Sequence, residues 1–458
     1  MAQLIDRLDA QDTHGRGVLG MKTLSNMGFA LFGAALVAIS YGLARFAFGL
    51  FVPSISAELE LTAYLVGIIG ALPFISFVLA TLFAPLAADR LGARNLAVLS
   101  GGFGVAGLVF ISQSSGAFSL GVGVFVCGIC TGLMMPALTA AMQALVSRTM
   151  HGRVSSIMNA GTSIGIIVAV PTVVFLADAW RFTYTSFSVL AGLGVIAAWY
   201  FIPSVSRVVP ANAAPPPPIT RLQWSRLTRL SLFAFAMGCV SSPFWLFAPD
   251  LAVTLGGLPA HQVGWLWFAV GVAGLGGAVV SDLADRNNPP ITQALMLMML
   301  SSSLALLAAS PSQLALAIFS AMIFGLAYMS LTGLYLMTGI RLLPGRLSMG
   351  SVLPFMACAL GQAVGSPVVG MLVDGFGYAY AFSLFSVVGI VVAIISPAYP
   401  GHIDYWADLV EESVQEEPLQ EELPAAEETG LQAAYDHQLL DENGEPFEEP
   451  VIKEDNVS

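Results

Sequence analysis

Runs of apolar residues, each about as long as a bilayer-spanning helix and each closed by a short polar or charged connection, recur along the chain. Crossing roughly 30 Å of hydrocarbon takes about 20 helical residues, and a continuous apolar helix satisfies its own backbone there. Six such runs come first, at residues 26–52, 63–87, 95–112 and 117–146, from Arg153 to about Leu176, and at 182–202. Six more follow at 230–250, 263–281, 291–309, 314–339, 350–373 and 378–397. The pattern predicts an all-α polytopic membrane protein of twelve spanning helices in two six-helix bundles, residues 26–202 and 230–398. Between them, residues 203–229 hold four consecutive prolines at 215–218 with Arg207, Arg221, Arg226 and Arg229 nearby, and read as a cytoplasmic linker.

Composition sharpens this reading. Of 458 residues 56% are hydrophobic and only 10% charged, which is outside the range of soluble domains. The net charge of -12 does not describe the spans, because 18 of the 29 acidic residues lie between Asp404 and Asp455. Residues 399–458 read as an acidic, largely disordered tail, opened by a short amphipathic helix over 402–415. Such a tail is either a solvated appendage or a docking segment for a cytoplasmic partner. Residues 1–25 are polar, lack the apolar core of a signal peptide and read as a cytoplasmic segment, with Met21 as an alternative start to Met1.

The bases set the orientation. With the N-terminus in the cytoplasm, 15 of the 17 lysines and arginines lie on that side, leaving Arg181 outside and Arg45 within the membrane. The positive-inside rule favours this arrangement, with both termini cytoplasmic in the cell (inner) membrane. Arg45 is the chemical anomaly, since nothing else between Lys22 and Glu58 is charged. An arginine at the centre of a spanning helix costs about 2.5 to 3.5 kcal/mol even on insertion scales, so it normally faces a protein interior or a water-filled path. On a helix, Ala38, Tyr41, Gly42, Arg45, Phe48 and Gly49 share one face by the i, i+3, i+4 rule. Three roles are open to Arg45: substrate contact, structural bonding to carbonyls, and snorkelling toward an outer interface near Pro53.

The two halves repeat at an offset of 196 residues. Gly42 pairs with Gly238, Pro53 with Pro249, Asp89 with Asp285, Arg90 with Arg286, Gly165 with Gly361, Pro171 with Pro367 and Asp178 with Asp374. Two similar halves of one transporter, with the substrate path between them, are the expectation. The connection Asp89-Arg90-x-Gly92-x-Arg94 resembles the signature loop of the major facilitator superfamily, with Asp285-Arg286 as a degenerate copy; the resemblance covers residues 26–398. Pro85 stands where that loop usually begins with glycine, and Ala93 replaces a usual base. The resemblance implies that Asp89, Arg90, Gly92, Arg94, Asp285 and Arg286 are conformational gating residues, the aspartate lying near a helix start in the other half. The stretch Tyr41-Gly-x-x-Arg45-Phe46 running to Pro53 resembles the YbfB/YjiJ-like bacterial branch of that superfamily, which names no substrate.

No Asp or Glu falls in the middle of any predicted span. A cavity with one arginine and no acid favours a small organic anion held by the guanidinium fork. Supporting polar candidates are Tyr41, Asn159, Ser241, Trp245, Tyr328, Tyr335 and Gln362. The expectation is a secondary active transporter working by alternating access, with exchange, symport and facilitated diffusion all open. Export of neutral or amphiphilic compounds is the alternative, and a non-transporting sensor or scaffold on the same fold a further one. All four cysteines lie in apolar runs, where the Cys127–Cys130 spacing reads as packing. No histidine lies in a span, and no phosphate-binding glycine loop occurs. Neither an enzyme nor a cofactor, metal or nucleic-acid partner is expected; the expected partners are the lipid bilayer and a small-molecule substrate, on a monomeric chain.

Overall fold

The computed structural model describes residues 24–147, 150–176, 179–204, 218–287, 289–343 and 347–398, with side-chain detail at all of these except 278–290, 347, 348, 351, 397 and 398. Expectations for residues 1–23, Arg148, Asp178, most of the linker, Arg346, the side chains of Asp285 and Arg286, and the acidic tail fall outside this description. What is described is helical. Helix α1 is Asn26–Leu59, followed by one helical stretch, Ala63–Ser112, interrupted at Gly92. That stretch supplies α2 (63–91) and α3 (93–112). Then come α4 (Ala117–Leu145), α5 (His151–Leu176), α6 (Trp180–Phe201), α7 (Arg221–Thr254), α8 (Ala260–Asn287), α9 (Pro289–Ala309), α10 (Leu314–Leu342), α11 (Leu347–Phe376) and α12 (Tyr378–Ala398).

Ten helical stretches among the described residues are long and apolar enough to cross a membrane. One of them, Ala63–Ser112, has 50 residues, about twice what a bilayer needs, and counts as two spans. Counting α8 as well gives twelve helices among the described residues, consistent with the predicted twelve spans. Large apolar side chains stand exposed on the outer faces, among them Phe83 (65%), Phe175, Ile196 and Ile394. On a soluble protein such a surface would aggregate; on a multi-pass membrane protein it meets lipid tails.

The expected boundaries shift in three places, each for a local reason. Pro53 lies inside α1 rather than at its end, and the helix runs on to Leu59, where Glu60 takes the left-handed conformation (φ 52°). Helix α7 begins at Arg221, inside the expected linker, because Thr220 and Gln223 form a capping box: the Thr220 hydroxyl accepts from the Gln223 backbone N–H at 3.1 Å and the Gln223 side-chain Oε1 from the Thr220 backbone N–H at 2.9 Å. The connection after α2 shrinks to Gly92, whose φ of 74° and ψ of 167° lie in a region essentially reserved for glycine.

Backbone contacts carry the repeat into three dimensions. A Cβ at Gly42 would collide with the backbone of Gly165, bringing α1 onto α5. At the partner positions, one at Gly238 would meet the Cys358 carbonyl and one at Gly361 the Phe235 carbonyl, so α7 and α11 approach equally closely. Small residues at helix crossings are how membrane helices gain dispersion contact. Cys127 and Cys130 are free, buried thiols, and Cys130 packs against α3, where the Ser100 hydroxyl donates to its carbonyl at 2.7 Å. The bundles meet through α2 with α11, α5 with α8 and α1 with α7.

The bundle ends are tied by charge. At the end distal to the start of α1, Arg181 bridges Glu58 at 2.9 Å and donates to the Ser112 carbonyl at 3.0 Å, gathering α6, α1 and α3. In the second bundle the Tyr378 hydroxyl donates to Asp250, joining α12 to α7. Between bundles, the Asp374 carboxylate at the end of α11 accepts from the amides of Ala63 (3.0 Å) and Tyr64 (2.8 Å), the first residues of α2. At the proximal end Arg94 donates to the Ile202 carbonyl at 2.7 Å and stacks on Trp199, a bond within the first bundle.

Candidate functional site

The centre of α1 is not an α-helix. Residues Ala38–Phe46 form a π-helix of nine residues, and the amide of Ala47 bonds back five residues to Gly42. Wide turns of this kind are rare and collect at functional sites. The sequence supplies a cause: Ser40, at its start, spends its hydroxyl on the Leu36 carbonyl at 2.8 Å, a back-bond that bends helices, and Gly42 is a weak helix former. Bonding five residues apart changes which side chains share a face. Arg45 lies against Tyr41, the neighbour four residues back that α-helical spacing also gives, its guanidinium 5.9 Å from that ring, and against Phe46 at 5.2 Å. Ala38 and Phe48, placed with Arg45 by α-helical spacing, are not among these contacts.

Arg45 is 8% exposed and lies 14 residues before the end of α1, about 21 Å by helical rise. Snorkelling to that end is excluded. Instead α2 supplies a pair of rings, Phe74 at 4.4 Å and Phe77 at 4.9 Å from the guanidinium carbon. Cation–π attraction contributes about 0.5 to 2 kcal/mol where water is excluded. Across the bundle boundary one guanidinium nitrogen donates to the Gln362 side-chain oxygen at 3.4 Å. The same amide donates to the Tyr328 hydroxyl at 3.3 Å and to the Ser241 hydroxyl at 3.5 Å. Arg45 makes no ion pair among the described residues, and its Nε, though buried, has no hydrogen-bond partner.

A second orphan stands beside it. Trp245 of α7 is buried, its ring 4.3 Å from Phe46 and 5.0 Å from Tyr328, and its indole N–H is unpartnered. Arg45 and Trp245 line one cavity with Phe46, Phe48, Phe74 and Leu246. Its volume is about 20 Å³, room for about one water, so the site is closed around its donors. The Trp267 indole of α8 donates to the Phe46 carbonyl at 3.2 Å, fixing the end of the π segment against the second bundle.

Of the eight residues expected at a substrate site, Arg45, Gln362, Tyr328, Ser241 and Trp245 come together. Tyr41 joins from the side: its ring meets Phe77 and its hydroxyl donates to the Thr131 carbonyl at 3.0 Å. Tyr335 lies two turns along α10 from Tyr328, buried with an unpartnered hydroxyl, and Asn159 is half-buried on α5; neither enters the network. The rings Phe74 and Phe77 were not singled out, and Phe46 only as part of a motif, because phenylalanines in spanning helices carry no distinguishing pattern. Asp374 entered the sequence reading only as the repeat partner of Asp178. Its pairing with the start of α2 needed the fold, although the repeat marks the position. Among the gating candidates, Asp89 and Arg90 are both exposed, and neither is bonded among the described residues.

The family model described as Major Facilitator Superfamily matches residues 34–356. Among solved structures, the nucleoside transporter NupG is similar with a TM-score of 0.65 and 13% identity, over 81% of this chain and 98% of that one. A POT family transporter in complex with a thioalcohol-conjugated peptide gives 0.68 and 13% over 82% and 96%. A bacterial homologue of the human lysosomal transporter Spinster, inward-facing and unoccupied, gives 0.65 and 15% over 83% and 96%. No curated protein matches the chain.

Proposed function

The chain belongs to the major facilitator superfamily, and we propose that it is a secondary active transporter that carries a small organic anion by alternating access, with Arg45 holding the negative charge. The observation that carries this reading is a buried guanidinium without an acid, at the meeting point of the two bundles, with a donor left over. An unpartnered buried donor costs about 1 to 3 kcal/mol, and a carboxylate or similar anion relieves that cost while cancelling the charge. Gln362 is a weak stand-in for it at 3.4 Å. Loading therefore exchanges Gln362 for substrate and loosens the bond between α1 and α11, which couples binding to movement of the halves. With proximal taken as cytoplasmic, the Asp374 bonds to α2 and the unbonded Asp89 correspond to a state shut on the outside. The resemblance around Arg45 supports a place in the YbfB/YjiJ-like branch, and the bias of lysines and arginines supports an inner-membrane protein with both termini in the cytoplasm.

Flux in proteoliposomes tests the proposal. Arg45→Lys is expected to keep partial transport of an anionic substrate, and Arg45→Ala to lose nearly all of it while remaining folded; unchanged transport in Arg45→Ala would sink the proposal. The aromatic walls favour one rival, export of a neutral amphiphile. Neutral aromatic solutes transported equally by wild type and Arg45→Ala would establish that rival.

A further inference from the structure

The site that holds the charge also states what the rest of the solute must be. Resting on the anion reading, we infer that the carried anion is a monocarboxylate with a flat apolar or aromatic body. Among the described residues Arg45 is the cation at this cavity, and a second carboxylate would be buried without a partner, at the cost of an uncompensated charge. No acid lines the cavity, so the ammonium of an amino acid or peptide finds nothing to neutralise it.

The hydroxyls at the cavity are already spent. Ser242 donates to the Gly238 carbonyl at 3.0 Å and Ser366 to the Gln362 carbonyl at 2.7 Å, which leaves few free donors for a sugar or polyol. Two residues that line the cavity each carry an unpartnered donor, Arg45 Nε and Trp245 Nε1, and two donors suit the two oxygens of one carboxylate. Beyond them the walls are rings, Phe46 on Trp245 at 4.3 Å, Phe48, and Phe74 under the guanidinium, and Trp245 is itself backed by Tyr328 at 5.0 Å and Phe324 at 5.2 Å. Aromatic pairs add about 0.5 to 1.5 kcal/mol beyond area burial, so a flat ring is the body this lining rewards. In the closed state the carboxylate displaces the Gln362 oxygen, and the body parts Phe46 from Trp245.

Binding of defined probes to the purified full-length protein, read by calorimetry and thermal shift, tests this inference. Phenylacetate and benzoate are the probes; acetate, succinate, phenylalanine and phenylacetamide are the comparisons. Phenylacetate is expected to bind at least about tenfold more tightly than acetate or succinate, as one added ring contact predicts, and phenylacetamide and phenylalanine not measurably. Trp245→Phe keeps the ring and removes the N–H, and is expected to weaken phenylacetate about ten- to a hundredfold, the range for losing a hydrogen bond to a charged group. Arg45-dependent binding of succinate or acetate at equal or higher affinity, or no binding of either aromatic acid, overturns the inference and leaves the anion reading standing. Phenylacetamide binding as tightly as phenylacetate, with Arg45→Lys unaffected, overturns the anion reading itself.

Discussion

At the scale of single residues, the site is a balance between one cation and weak acceptors. Gln362 holds Arg45, Tyr328 and Ser241 at 3.3 to 3.5 Å, long for hydrogen bonds between buried groups. Replacing it with leucine removes the competitor for Arg45 and leaves three polar groups less satisfied. Gln362→Leu is therefore expected to destabilise the empty protein by about 1 to 3 kcal/mol and to enlarge the stabilisation produced by a bound anion, both read from melting curves with and without ligand. A fall in both quantities would make Gln362 a substrate contact rather than a stand-in. What was legible here was the chemical type. Arg45 stood out because charge is scarce in apolar runs, and five of its expected companions followed from polar residues near the repeat-related helices. The rings that hold its guanidinium were hidden, since nothing in a phenylalanine's sequence position tells lipid-facing from cation-facing.

At the scale of elements, two connections invite measurement. Gly92 turns α2 into α3 within one residue at φ 74° and ψ 167°. Gly92→Ala is expected to cost about 1 to 3 kcal/mol from backbone strain alone, seen as a lower melting temperature in detergent, whereas Gly102→Ala, where a Cβ meets only open space, should change little. Asp374 joins the bundles at the distal end by charge-assisted bonds to the start of α2, where the helix dipole also favours an anion. Asp374→Ala is expected to speed amide exchange in residues 63–66 by about tenfold or more, as loss of at least 1.4 kcal/mol requires; unchanged exchange would mean the carboxylate latches nothing. The helix ends were the least legible part of the fold. A proline does not stop α1, and a threonine–glutamine box starts α7 early, because both are decided by backbone hydrogen bonds rather than by apolar periodicity. The π-helix was not legible at all: Ser40 and Gly42 permit it, yet residue spacing assumes the α-helical turn that it abandons.

At the scale of the whole molecule, the all-helical membrane fold, the order of its helices and the two-fold repeat could be read from the sequence, because lipid forces nearly every spanning residue to be apolar and makes the exceptions conspicuous. Shared glycines at the 196-residue offset return as shared close crossings, Gly42 on Gly165 and Gly238 on Cys358. The bundle contacts were not readable, since they depend on which apolar face each helix turns inward. Deleting residues 416–458 is expected to leave flux unchanged in the same vesicles if the acidic tail is a solvated appendage; an altered rate would make it regulatory.

The lone guanidinium near the middle of α1 also has an electrical consequence. With a monoanion bound the moving site is neutral, and without it the site bears one positive charge. A membrane voltage of 100 mV acts on an elementary charge with about 2.3 kcal/mol, so the field works on the empty carrier and hardly touches the loaded one. One-for-one exchange, in which only loaded carriers reorient, should run at the same rate whatever potassium diffusion potential is imposed on the vesicles. Net uptake or release, which requires the empty carrier to return, should change with its sign. Through one side chain, the energised state of the cell would decide how fast the transporter resets.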